Sequence, residues 1–451
     1  MAKAPKSVTI RTYQVGFGDC FLLSFDYGSS SEKHVLIDYG STGFPKGVPK
    51  TRMMDIAQDI KKRTGGKLHA VVATHRHRDH ISGFATAKGG KGTGDVIASL
   101  KPDVVVQPWT EDPDLSTTAT GPGDKGAAKT KAKAKKAKKS KKSLVAPGKL
   151  KMFGAATPNH IAALALMNEF ALRSLSARNL PRAMAGEIRF LGESNLANAS
   201  AVKNLMNMAK NSYVFTGAKS GLEMVLPGVK IDVLGPPTVK QTDTIKKQRA
   251  RDPDEFWHFA LASLEAANRG TPGREGILFP RHVKASGHRF PVNARWLVYH
   301  VRTMRAEQLL QIVRNLDKQM NNTSVILLMQ IGKTKLLFPG DAQLENWQFA
   351  LGQKKYVDLL KSVNLYKVGH HGSLNATPKS LWKLFENKSS KKTAKRLLSL
   401  MSTMEGKHGS THSHTEVPRE TLVHALEENS EFFTTQALKG KVFFHDTTMQ
   451  F

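Results

Sequence analysis

The sequence predicts an α/β fold in which two strand-rich halves are interrupted by two inserts. Three observations carry this expectation. Short apolar stretches with period-2 alternation recur near both ends, helical spacing recurs between them, and long polar stretches break the pattern at 111–221 and 238–320. A chain of 451 residues gives a prior of about three domains at roughly 150 residues each. No internal repeat is visible, so the expected organisation is one interrupted body: 1–110, 222–237 and 321–451.

The elements follow in order. Val8–Gln14 alternates as a strand, and Gly16-Phe17-Gly18-Asp19 marks a tight loop. Phe21–Phe25 and His34–Asp38 read as paired strands across the turn residues Gly28-Ser29-Ser30-Ser31. Met53–Arg63 has helical spacing, while Ala70–Ala73 and Val104–Gln107 read as short buried strands. Residues 111–148 form a polar linker rich in Pro, Gly, Thr and Lys. A helix is expected from Pro158 to about Leu180, capped by Asn159 and stopped by Pro181, and a second over Ala201–Lys210. Strands are expected at Met224–Leu226 and Ile231–Leu234, then a hairpin of Val325–Met329 and Lys335–Phe338 around Gly332.

Composition excludes several classes. Hydrophobic content of 40% with 23% charged residues suits a chain with a sizeable core and excludes a wholly disordered one. One cysteine excludes a disulfide scaffold and a thiolate zinc knuckle, and it fits a reducing compartment. Cys20, on a strand, reads as a buried small hydrophobe. The N-terminus has no apolar signal region, and the longest apolar stretches fall far short of the ~20 residues a membrane helix needs. A cytoplasmic protein without a membrane partner is therefore expected.

The formal net charge is +31, and ten lysines with no acid lie between Lys125 and Lys142, about a third of the excess. Such a run grips phosphates without discrimination, so nucleic acid or another polyanion is the partner it suggests. It has no interleaved aromatic for base stacking. Trp257, Phe259 and Trp296 do lie among Arg251, Arg281, Arg289, Arg295, Arg302 and Arg305 in the second insert; packing on the main body is their bland use.

Chemistry concentrates after the strand Ala70–Ala73. Thr74-His75-Arg76-His77-Arg78-Asp79-His80 puts three imidazoles and a carboxylate within six residues, a ligand set that suits zinc, manganese or iron. In an extended loop His75 and His77 project to one side, while Asp79 and His80 point differently and suit a second ion.

This HxHxDH segment resembles that of the metallo-β-lactamase-fold hydrolases. Val35-Leu36-Ile37-Asp38-Tyr39-Gly40, Leu336-Leu337-Phe338-Pro339-Gly340-Asp341 and Lys367-Val368-Gly369-His370-His371-Gly372-Ser373 are similar to further motifs of that family, in the family's order. Val15-Gly16-Phe17-Gly18-Asp19-Cys20, Val233-Leu234-Gly235-Pro236-Pro237, Asn322–Leu327 and the His-His-Gly-Ser segment resemble the hydrolase domain of the ComEC DNA-uptake protein. The resemblance covers about 8–110 and 222–445 and implies a four-layer αββα sandwich. It also implies two zinc ions, or manganese, with His75 and His77 on the first and Asp79 and His80 on the second. Asp341 would bridge, and one of His370 and His371, with His371 preferred, would complete the second site. Asp79 and His370 would act in catalysis, and Asp38 and Asp19 would orient ligands from outside. A loose match near Gly409–Pro418 brings in His414. The family's middle histidine has no counterpart near Gly235–Val239; His160, His258, His282, His288 and His300 lie outside any motif.

The implied reaction is hydrolysis by a metal-activated water, with no Gly-x-Ser-x-Gly elbow in the chain. Three readings stay open: a phosphodiesterase or nuclease, a hydrolase of small esters, lactones or thioesters, and a nucleic-acid-binding protein with a vestigial metal site.

Overall fold

The computed structural model describes residues 4–28, 32–115, 119–123, 198–242, 320–373, 376–393, 395–407 and 416–451. The Lys125–Lys142 run, the helix expected from Pro158 to Leu180, the aromatic and arginine residues of the second insert, His160, His258, His282, His288, His300 and His414 lie outside them.

Two mixed sheets form the frame. The first contains β1 (Ser7–Tyr13), β2 (Cys20–Asp26), β3 (Glu32–Tyr39), β4 (Ala70–Val72), β5 (Val104–Pro108), β6 (Lys210–Val214) and, on the outer edge beyond β1, β13 (Phe444–Gln450). From β13 to β3 the neighbours are antiparallel; from β3 to β6 they are parallel. The second sheet contains β7 (Lys230–Gly235), β8 (Ile326–Ile331), β9 (Thr334–Phe338), β10 (Leu365–Lys367), β11 (Leu398–Met401) and β12 (Glu431–Thr434) in that spatial order. Here β7, β8 and β9 are antiparallel and β9 to β12 parallel.

Period-2 alternation decides what each strand buries. Val8, Ile10, Phe21, Leu23, Val35, Ile37, Val72 and Val106 of the first sheet share one buried cluster with Leu327, Met329, Leu336 and Phe338 of the second. The intervening Leu22, Leu36, Val71 and Val105 pack instead with the helices Arg52–Arg63 and Thr93–Ser99. On the second sheet Ile326, Leu328 and Leu337 meet Trp347, Leu360, Leu381 and Leu426 from four further helices. Each fully buried Leu, Ile, Val or Phe contributes about 1.5–3 kcal/mol, so a one-residue register slip in β2 or β8 would be severely destabilising.

Two local outcomes differ from the sequence reading. Met224–Leu226 is not a strand: Leu222–Val225 forms one helical turn, because Leu222 and Leu226 are both fully buried at i and i+4. The carboxylate of Glu223 accepts from the backbone of Ser220 and Gly221, which fixes that turn's start. The helix at Ala199–Met208 ends sooner than expected, and Lys210–Val214 pairs in parallel with β5. Cys20 is buried, and burial pushes its thiol well above the ordinary range. No helix among the described residues is long and apolar enough to cross a membrane.

At the amino ends of β3 and β4, His34 and His69 are buried as neutral imidazoles. Nδ1 of His69 accepts from the backbone N–H of His34 at 3.1 Å, and Nδ1 of His34 lies 2.9 Å from Ser24 Oγ. Burial is the main cause that lowers both to about 4. The folded chain therefore refuses protons that the unfolded chain takes up near pH 6.5. Stability present above pH 6.5 is expected to fall as pH drops towards 4, by about 1.4 kcal/mol per pH unit for each histidine. Urea unfolding of wild type and His69→Gln at pH 7, 6 and 5 checks this; equal slopes in the two proteins would refute it.

Candidate metal centre

The motif residues meet beyond the carboxyl ends of parallel strands of both sheets, where open α/β sheets place their ligand sites. Asp38 is the penultimate residue of β3, and the loop Thr74–His77 follows β4. Asp341 follows β9, His370 and His371 follow β10, and Ser402 follows β11. The two sheets are tied together here, since the backbone N–H of Val325 donates to Thr74 O at 2.9 Å.

Close backbone approach sets the loop. A Cβ on Gly40 would fall 2.4 Å from Asp79 C and His80 N, so only glycine lets the end of β3 touch the turn Arg78–Ile81. Gly340, at φ +56°, sits where an added Cβ would meet the Thr74 side chain at 2.7 Å. Asp38 (φ 55°), His370 (φ 44°) and His371 (φ 54°) are left-handed non-glycine residues, a costly conformation that clusters at functional sites.

Asp38 organises one side of the centre. Thr74 donates to it twice, from N–H and Oγ1–H, at 2.7 Å each, and His80 Nδ1 donates at 2.8 Å. A carboxylate only accepts, so His80 carries its proton on Nδ1 and turns Nε2 inward. Ser402 O does the same for His371, accepting from Nδ1 at 3.0 Å, while Ser402 Oγ donates to Gly18 O at 2.6 Å. His75 Nδ1 lies 3.2 Å from Thr74 Oγ1, and its Nε2 lies 3.0 Å from His77 Nδ1. Outer partners of this kind fix the ring nitrogen that faces a metal.

The inward atoms converge on Asp341 Oδ2. His80 Nε2 is 3.0 Å away, His371 Nε2 3.6 Å and His370 Nε2 4.0 Å. His371 Nε2 also lies 3.0 Å from Asp79 Oδ2. Ligating atoms of Asp79, His80, Asp341 and His371 all fall within 4.8 Å of one another, as do those of Asp19, Asp38 and His80. His80 Nε2 and Asp341 Oδ2 are buried, yet neither completes a well-formed hydrogen bond. A divalent cation fits such a donor set, because imidazole nitrogens and carboxylate oxygens aimed at one point are the ligands such ions take.

Electrostatics agree with the geometry. Burial opposes a charged His80 and a charged His371, but Asp341 and the neighbouring carboxylates outweigh it and raise both imidazoles. Burial likewise opposes ionised Asp79 and Asp341, and the surrounding histidines hold both below the ordinary carboxylate range. His75 differs: burial, with His80 and His77 beside it, keeps it well below the usual range and hence neutral.

The structure therefore brings together Asp79, His80, Asp341 and His371, with His75 and His77 adjoining and Asp38 behind His80. His370 is 26% exposed and sits at the mouth, with Gln343 Nε2 3.4 Å from its Nδ1. Asp19 is fully buried behind the centre, 3.6 Å from His371 Nδ1 and paired with the buried ammonium of Lys367. The His80 ring packs on that of His75, with centroids 4.1 Å apart, and the His77 ring meets His75 edge-on at 4.7 Å. No histidine occupies Gly235–Val239, where Trp109 Nε1 donates to Pro237 O at 3.3 Å.

Sequence reasoning missed Thr74, Ser402, Gln343, Lys367 and Phe17, whose ring lies 4.3 Å from that of His371. Thr74, Phe17 and Lys367 stand inside quoted motifs, which could have flagged them; Ser402 and Gln343 do not. It also missed that Arg76, between His75 and His77, is held by Glu111 through contacts including 2.9 and 3.0 Å. Asn198 Nδ2 donates to Arg76 O at 3.0 Å. No family model and no curated protein matches the chain.

Proposed function

We propose that this chain is a metallohydrolase of the metallo-β-lactamase-like type, with the four-layer αββα arrangement of that family, acting on phosphodiester bonds of nucleic acid or a nucleotide. The observation that carries the reading is the convergence of three imidazole nitrogens on one buried oxygen of Asp341, with Asp79 on His371. His75 and His77 would hold one zinc or manganese ion, Asp79, His80 and His371 a second, and Asp341 both. Bound divalent ions supply Lewis acidity that polarises a phosphoryl oxygen and lowers the pKa of water. Asp79 orients the attacking water with the oxygen not engaged by His371. His370, the most accessible of the site's imidazoles, donates a proton to the departing oxygen. Asp38, Thr74 and Ser402 hold the ligands so that little reorganisation accompanies reaction. The net charge of +31 supports an anionic substrate, which a positive surface concentrates.

A second reading is a nucleic-acid-binding protein with a vestigial centre, favoured by the lack of a middle histidine at Gly235–Val239. A panel of single-stranded DNA, an aryl phosphodiester, a lactone and a thioester, each with zinc or manganese, separates the readings. Wild type is expected to cleave the phosphodiesters, and Asp79→Ala to lose about 10²–10⁴-fold. Cleavage of the lactone or thioester alone would move the substrate class. Cleavage of none, with salt-sensitive DNA binding intact, would leave the second reading.

A further inference from the structure

We infer that Lys367 is a positioning residue of this centre, a buried permanent cation that holds one oxygen of Asp341 so that only the other is presented to the imidazoles. The inference rests on the reading that the cluster binds a divalent ion. The two oxygens of Asp341 have different surroundings. Oδ1 lies 3.1 Å from the donating backbone N–H of His370 and 3.7 Å from Lys367 Nζ. Oδ2 faces His80, His371 and His370 only through ring nitrogens. A carboxylate anchored at one oxygen and free at the other is a one-atom ligand of fixed direction.

Lys367 is the last residue of β10, with β9 and β11 on either side, and it is 2% exposed. Its ammonium donates to Gly340 O at 3.3 Å and pairs with Asp19. Asp19, Asp38 and His80 form an inner donor cluster that could itself attract a cation. The lysine supplies that positive charge permanently. It would thereby keep Asp19 from competing with Asp341 for a divalent ion. Desolvation alone is strongly unfavourable at this buried strand position, and the carboxylates of Asp19 and Asp341 offset it.

Charge and position give opposite signs, and this makes the inference testable. If Lys367 acted only as a nearby positive charge, removing it would strengthen divalent binding. If it positions Asp341, removing it weakens binding, by the roughly 10–100-fold typical of lost outer partners. Cobalt(II) titration of wild type, Lys367→Met and the double variant Asp19→Asn/Lys367→Met, followed by visible absorption and by competition with a chromogenic chelator, reads the difference. Thermal melts run alongside. The single variant leaves Asp19 buried and unpaired, so it is expected to lose stability; the double variant removes that charge and recovers stability. Cobalt affinity is expected to stay about 10–100-fold low in the double variant, with an altered absorption spectrum. Wild-type or tighter affinity in the double variant would overturn the role, whether or not the single variant folds. A wild-type chain that binds no cobalt would instead overturn the metal reading, and the inference with it.

Discussion

Asp341→Asn is expected to abolish the thermal stabilisation that zinc or manganese gives the wild-type chain, and to lower phosphodiester turnover by more than about 100-fold. The reasoning starts from Asp341 Oδ2, which no other described carboxylate oxygen can replace between His80, His371 and His370. Outer partners of metal ligands cost about 10–100-fold when lost, so a ligand shared by the whole cluster should cost more. An ion present at 100 times its dissociation constant stabilises the wild type by about 2.7 kcal/mol, several degrees in a melt. In the variant the same addition should leave the melt where EDTA leaves it. Without metal, the variant should also be less stable, by up to about 3–5 kcal/mol, because His80 and His371 lose a buried carboxylate partner. An unchanged metal-dependent shift would remove Asp341 from the centre.

Gly40→Ala should damage the centre almost as much while leaving every candidate ligand side chain in the sequence. The added methyl would overlap Asp79 C, His80 N and Arg78 O at 2.4–2.6 Å, all of them backbone atoms that cannot rotate aside. Either β3 parts from the turn Arg78–Ile81 or the turn moves, at a cost of about 1–3 kcal/mol or more. A displacement of about 1 Å at Asp79 and His80 is enough for a loss on the order of 10²-fold in activity. Gly121→Ala is the control, since its added carbon would meet only side-chain atoms at 3.5 Å or beyond. Wild-type activity and melting in Gly40→Ala would show that the close approach is not required.

The sequence made the frame legible where one physical rule decided the outcome. Phe21–Phe25 and Lys335–Phe338 read as strands because both of their faces are buried, which writes a short, near-continuous apolar run into the sequence, and six positions of HxHxDH carry too many donors to be surface accident. What stayed hidden depends on side chains meeting across long separations. Ser402 acts through a backbone carbonyl, which has no signature in a residue string. Lys367 looks like an interruption of an apolar strand until Asp19 and Asp341 are placed beside it. Met224–Leu226 was misread as a strand because a three-residue apolar segment fits either period, and only the burial of Leu222 and Leu226 on one side separates them.

Asp79 and His371, joined at 3.0 Å, are 292 positions apart in the chain. Bringing them together closes a very large loop, yet closure entropy grows only with the logarithm of length, about 0.6 kcal/mol for each doubling. Once the two sheets have paid that initial cost by packing, further chain inserted between His80 and Asp341 is nearly free in equilibrium terms. The architecture can thus lengthen or exchange the intervening segments through evolution while the chemical centre stays fixed. The burden falls on folding kinetics, because contacts this distant in sequence form slowly.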